Sequence, residues 1–98
     1  MTFADGVACR EPQAAPLAII RGGAARILQL REDEIAEAIR IYFTDTHNVA
    51  EGAGAAALAG LIRERDRYAG KRVAVVLSGG NIDAPDFAEV LAGRTPKV

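Results

Sequence analysis

Gly70-Lys71-Arg72-Val73-Ala74-Val75-Val76-Leu77-Ser78-Gly79-Gly80-Asn81-Ile82-Asp83 decides how the rest of the chain is read. Val73 to Leu77 is a continuous apolar, largely β-branched run without alternation. That pattern predicts a strand covered on both faces, as in a parallel sheet. Ser78-Gly79-Gly80-Asn81 follows at its carboxyl end, the position where open parallel sheets bind ligands. Two adjacent glycines let a ligand approach the backbone, and a helix start beyond them favours an anion or a polar ring atom. The plain alternative is a strand-to-helix turn, and the pattern leaves both open.

Working outward, Arg26-Ile27-Leu28-Gln29-Leu30 reads as a second short strand. Before it, Pro16 suits the first turn of a short helix, Leu17 to Arg21, ended by Gly22-Gly23. Glu32-Asp33-Glu34 opens a longer helix, because acidic side chains in a first turn complement the helix dipole. Ile35, Ile39, Tyr42 or Phe43, and Thr46 share one face of it, with Glu34, Glu37 and Arg40 turned away. Thr46-His47-Asn48 marks its end. A further helix runs from Glu51 or Gly54 to Tyr68, with Leu58, Leu61 and Ile62 as its apolar stripe and Gly70 closing it. A last helix spans about Pro85 to Leu91. This order predicts an α/β fold: two parallel strands with about four helices.

Composition sets the bounds. Ninety-eight residues make one domain or a piece of one. Half are apolar, but twenty of these are alanine, which removes little area from water. Alanine-rich surfaces suit close packing against another element or subunit, so we expect part of something larger. The formal charge of −1 and the absence of a basic stripe argue against nucleic-acid binding. The most apolar stretch, Ala53 to Ile62, is about half the length that spans a bilayer. No signal peptide is evident, so the expected compartment is the cytoplasm.

Other candidate groups weigh less. Gly52, Gly54 and Ala57 fit G-x-G-x-x-A, but a helix rather than a strand precedes them, so a dinucleotide loop is rejected. Small residues that let a helix or a cofactor pack closely are the simpler account. Asp45 and His47 form no metal cluster by spacing, and no metal is expected. Cys9, the single cysteine, reads as a small buried apolar residue. Lys71 and Lys97, the two lysines, sit in no sequence context that suggests a desolvated nucleophile, so no catalytic residue is assigned.

Four stretches together resemble the C-terminal part of the threonine/serine dehydratase family of pyridoxal-phosphate enzymes, with its tryptophan-synthase-β-like fold. They are Thr2-Phe3-Ala4-Asp5-Gly6-Val7-Ala8, Asp33-Glu34-Ile35, Glu51-Gly52-Ala53-Gly54-Ala55 and residues 70–83 quoted above. The resemblance covers roughly residues 1–83 and corresponds to the last third of a family catalytic domain, so residues 1–98 would form a single partial domain. The family's Schiff-base lysine, phosphate loop and metal-site acids belong to earlier segments without counterparts here.

The resemblance implies cofactor-binding roles for Ser78, Gly79, Gly80, Asn81, Gly6 and Glu51. Ser78 would place a neutral hydroxyl against the pyridine nitrogen of pyridoxal 5'-phosphate, a weaker electron sink than a carboxylate would create. Gly79, Gly80 and Asn81 would shape that wall, Gly6 would bring backbone close to the ring, and Glu51 would lie near its reactive edge. Arg31 stands where the family often has a capping serine, a change worth about 1 kcal/mol of stability. The short stretch after the last helix leads us to expect the short catabolic type, without a regulatory domain.

The resemblance therefore implies part of an L-threonine/L-serine dehydratase, releasing a 2-oxo acid and ammonia from a small amino-acid substrate. The isolated chain is expected to be inactive and not to hold the cofactor alone. One alternative is a catalytically dead interaction or oligomerisation module, with a homo-oligomer expected. Another is a fragment of a serine racemase or hydroxyaspartate dehydratase.

Overall fold

A computed structural model describes residues 1–98. Four helices follow in chain order: α1 (Ala14–Gly23), α2 (Glu32–Thr46), α3 (Gly52–Arg63) and α4 (Ala84–Leu91), with 3-10 turns at Asp5–Val7 and Arg65–Tyr68. No residue lies in a strand, so the two-stranded parallel-sheet arrangement expected from the sequence is overturned.

The reason is the absence of pairing. A strand exists only with a ladder partner, and residues 25–30 and 72–78 take part in no backbone–backbone hydrogen bond. Burial corrects the sequence reading a second time. Val75, Leu77 and Gly79 are half-buried while Val73, Ala74, Val76 and Ser78 are exposed, Val76 to 74%. The chain covers only one side of the run that was expected to be buried on both. The two unpaired segments line an apolar cavity of about 490 Å³, with Leu28, Leu30, Val73 and Val75 on one side and Ala57 and Leu61 of α3 on the other.

α2 begins as expected. Glu32, Asp33 and Glu34 occupy its first turn, and Glu34 Oε2 accepts the Arg31 N–H at 2.8 Å. The Arg31 side chain carries only donors and cannot return the favour to the helix, so Glu34 supplies the capping that position 31 lacks. Glu32 Oε2 accepts the Phe3 N–H at 3.0 Å, tying the N-terminal stretch to the same turn. His47, at φ 57°, stops the helix in the left-handed region. Ile35 and Ile39 are buried as predicted. Glu34 and Arg40, expected to face away, do not. Glu34 pairs with Arg63 at the far end of α3, and Arg40 Nε donates to the Val90 carbonyl of α4 at 2.8 Å.

α3 is shorter than predicted, giving way to the 3-10 turn before Tyr68. Its buried face is Gly52, Gly54, Ala55 and Ala59, whereas Leu58, Leu61 and Ile62 are only half-buried. Small residues bring α2 and α3 close. The core has nine apolar members, Ala4, Ile35, Ala36, Ala38, Ile39, Ala50, Ala55, Ala59 and Val90, and six of them are alanine. α4 packs on α2 through Val90 and an edge-to-face pair of Phe87 and Phe43, centroids 5.4 Å apart. α1 runs on through Gly22-Gly23 rather than stopping there, buries no residue and touches no other helix. No helix is long and apolar enough to cross a membrane.

Ile39→Ala should destabilise the chain by about 2–5 kcal/mol, whereas Ile19→Ala, on the uncovered α1, should change stability by no more than about 0.5 kcal/mol; thermal unfolding followed by circular dichroism compares them. The Arg63 guanidinium holds the Glu34 carboxyl below its ordinary value of 4.5. A carboxylate with a lowered folded pKa stabilises above the unfolded value, and that contribution disappears as pH falls through the folded one. Unfolding midpoints should therefore drop below about pH 4.5, and Glu34→Gln should flatten that acid limb.

Candidate functional site

Three stretches distant in sequence converge at the N-terminus of α3. They are the turn around Gly6, the approach to α3 from Val49 to Gly54, and Ser78-Gly79-Gly80-Asn81. The anchor is a backbone hydrogen bond, Glu51 N–H to Gly79 O, at 3.1 Å. Glycine permits the approach. A Cβ on Gly54 would fall on the carbonyl oxygen of Gly79, and one on Gly80 would stand 2.5 Å from the Val49 carbonyl oxygen. A Cβ on Gly52 would meet the Cα of Ala4 at 2.7 Å, and one on Gly6 the Cβ of Ala53 at 2.8 Å.

The Glu51 side chain runs through this junction. Its Oε1 would lie 2.6 Å from a Cβ on Gly79 and 4.0 Å from one on Gly6. Glu51 occupies the N-cap position of α3, yet its carboxylate does not cap the helix. It stands half-buried between two glycine backbones. Of the six residues singled out from the sequence, Gly6, Glu51, Gly79 and Gly80 come together here. Ser78 and Asn81 flank them and are exposed.

Gly52 and Gly54 belong to the same junction, although the sequence offered them only as a rejected dinucleotide loop or as small packing residues. The second account holds: Gly54 packs against the 78–81 loop. The G-x-G spacing carries this signal, since it places two residues without Cβ on successive sides of a helix's first turn. Because no strand forms, Ser78-Gly79-Gly80-Asn81 is not a strand end, and that part of the reasoning for a ligand loop falls.

The apolar cavity lies apart from this junction. Its polar rim is self-satisfied: Arg26 donates to Glu64, at 3.1 Å through Nε, and to the Tyr68 hydroxyl at 2.8 Å. The Arg26 hydrogen bond also holds the Tyr68 phenol below its ordinary pKa of 10.0. Cys9, expected to be buried, is exposed: it lies beyond the Asp5–Val7 turn, in a stretch that contributes no residue to the core. Asp45 and His47 are exposed at the end of α2.

Residues 1–79 match the family described as pyridoxal-phosphate dependent enzyme. This chain belongs to that family. Among pyridoxal-phosphate-dependent enzymes it is 39% identical over 82 residues to an L-threonine ammonia-lyase of Thermotoga maritima, a stretch covering 84% of this chain and 20% of that enzyme. It is 37% identical over 91 residues to an L-threonine ammonia-lyase of Geobacter sulfurreducens, covering 93% of this chain and 23% of that enzyme. An L-threo-3-hydroxyaspartate ammonia-lyase of a Pseudomonas species is 30% identical over 92 residues, covering 94% and 29%. The chain thus spans about a fifth to under a third of the length of these relatives. All of the junction except Gly80 and Asn81 falls within the matched family region.

Gly54→Ala should cost about 1–3 kcal/mol, because backbone must move to admit the methyl group. Gly22→Ala, with open space around the new Cβ, should instead gain up to about 1 kcal/mol from helix propensity. Thermal melts of the two variants should shift in opposite directions.

Proposed function

We propose that this chain supplies one wall of the cofactor site of a pyridoxal-phosphate-dependent ammonia-lyase acting on a small hydroxy amino acid. The reading is carried by the convergence of Gly6, Glu51, Gly79 and Gly80 beside the exposed Ser78, all but Gly80 within the region that matches the family. A wall of bare backbone is what a flat aromatic ring needs for close approach. One hydroxyl and one carboxylate at its edge are suitable partners for a ring nitrogen and a polar substituent.

In this reading Ser78 offers its hydroxyl to the ring nitrogen and, being neutral, does not hold a proton there as a carboxylate would. Gly79 and Gly80 let the loop close on the Glu51 carboxylate and the Val49 carbonyl, which sets Ser78 beside the ring. Gly6 and Asn81 bound the wall on either side, and Glu51 orients polar groups at the ring's edge. When bound, the cofactor supplies the electron sink for loss of a β-hydroxyl group. Both lysines, Lys71 and Lys97, are exposed and outside the junction, so the residues here bind and orient and leave the proton-transferring lysine to another segment. We place residues 1–98 as one partial catalytic domain. L-threonine or L-serine is favoured as substrate over 3-hydroxyaspartate, since the relatives at 39% and 37% identity are named for threonine and the hydroxyaspartate enzyme stands at 30%.

Two measurements test this. The purified 98-residue chain, given pyridoxal phosphate and L-threonine, should form no 2-oxo acid and show no visible absorbance from lysine-bound cofactor; turnover would sink the reading of an isolated inactive wall. Replacing the matched segment of the Thermotoga enzyme with this chain should preserve threonine-dependent 2-oxo acid formation. In that hybrid Ser78→Ala should lower kcat by up to about tenfold, the equivalent of one hydrogen bond, and shift the cofactor spectrum. A folded, coloured hybrid whose spectrum and kcat ignore Ser78→Ala would remove Ser78 from the site.

A further inference from the structure

The chain exposes 7076 Å² of surface, where a folded monomer of its 10.3 kDa exposes about 5,400 Å². Its radius of gyration is 14.1 Å against about 12.6 Å for a compact domain of this length. The shape explains the excess: the Cα atoms span 40 × 37 × 19 Å, a flat slab.

The uncovered residues are concentrated in particular segments. α1 buries nothing, and Ile19 is 77% exposed, Ile27 78% and Val76 74%. The apolar cavity opens against Ala25, Arg26, Leu28, Leu30 and Val73–Val75; the backbone groups of residues 25–30 and 72–78 have no backbone partners, and only the Gln29 carbonyl accepts from a side chain, that of Arg63. Unpaired backbone beside bare apolar side chains is surface made to be covered. The excess of about 1,700 Å² is twice what one partner contributes to a standard protein–protein interface, about 800 Å². Relatives supply the occupant: 71–80% of their length lies outside the segment that matches this chain.

We propose that this face, formed by α1, residues 25–30 and residues 72–78, docks the part of a family polypeptide that this chain does not match, whether joined to it or supplied as a separate chain. The proposal rests on the cofactor-wall reading for its choice of partner. Ser78 ends the uncovered 72–78 segment, so docking closes the cofactor site at the seam between the two parts.

The test is to co-express the 98-residue chain with the stretch of the Thermotoga L-threonine ammonia-lyase that precedes its matched segment, with that enzyme's own matched segment as control. Light scattering should show a one-to-one complex, and amide exchange at residues 72–78 should slow at least tenfold relative to the free chain. Val76→Arg, at a position exposed in the free chain, should abolish the complex without changing the free chain's circular dichroism. No complex where the control pair forms one overturns the proposal, as does a free chain already protected at 72–78 through self-association. Where the control pair itself fails to associate, exchange is read in the covalent hybrid: protection at 72–78 supports the docking face, and rapid exchange there overturns it. A complex that forms but turns over no threonine leaves the docking face standing and overturns the cofactor-wall reading.

Discussion

The close approach of α3 to its neighbours governs this structure, and it depends on side chains being small or absent. Gly54 meets the Gly79 carbonyl, Gly52 meets Ala4, and Ala55 and Ala59 sit in the core with Ala36 and Ala38 of α2. Where two backbones touch, there is no flexible side chain to absorb a change, so each added carbon displaces a main chain. The same contacts leave a thin core. With six of nine core residues alanine, the apolar area removed from water per residue is low. The polar ties from Glu34 to Arg63 and from Arg40 to the Val90 carbonyl fix the relative positions of α2, α3 and α4.

The helices were legible where a local rule determined them. Three acids at 32–34, the His47-Asn48 break and Pro85 each mark a boundary through chemistry confined to a single turn. The strands were misread for the opposite reason. Val73 to Leu77 has strand composition, but pairing is a property of two segments and cannot be seen in one. The buried face of α3 was misjudged because apolar size was taken as the guide. Leu58, Leu61 and Ile62 were expected inside, whereas the glycines and alanines let the neighbouring backbone in.

The candidate site was legible in part. The Ser-Gly-Gly-Asn sequence drew notice through its glycines, and Gly6 and Glu51 through the family resemblance. Nothing local indicated that Glu51 would run between Gly6 and Gly79, because that arrangement needs three segments spread over more than seventy residues. Gly54 was legible as one of the small residues that permit close packing, but nothing in its spacing from Gly52 shows that the neighbour it admits is the Gly79 carbonyl.

The bond from the Glu51 N–H to the Gly79 carbonyl, with Gly54 pressed against the same oxygen, has a mechanical consequence. Most loops are cushioned from their supporting helix by side chains that rotate independently of the backbone. Here loop and helix share main-chain contact on both sides of one carbonyl. Displacement of the first turn of α3 therefore passes to the main chain at Gly79 almost undamped, and the backbone that carries Ser78 is tied to a helix rather than to a surface loop.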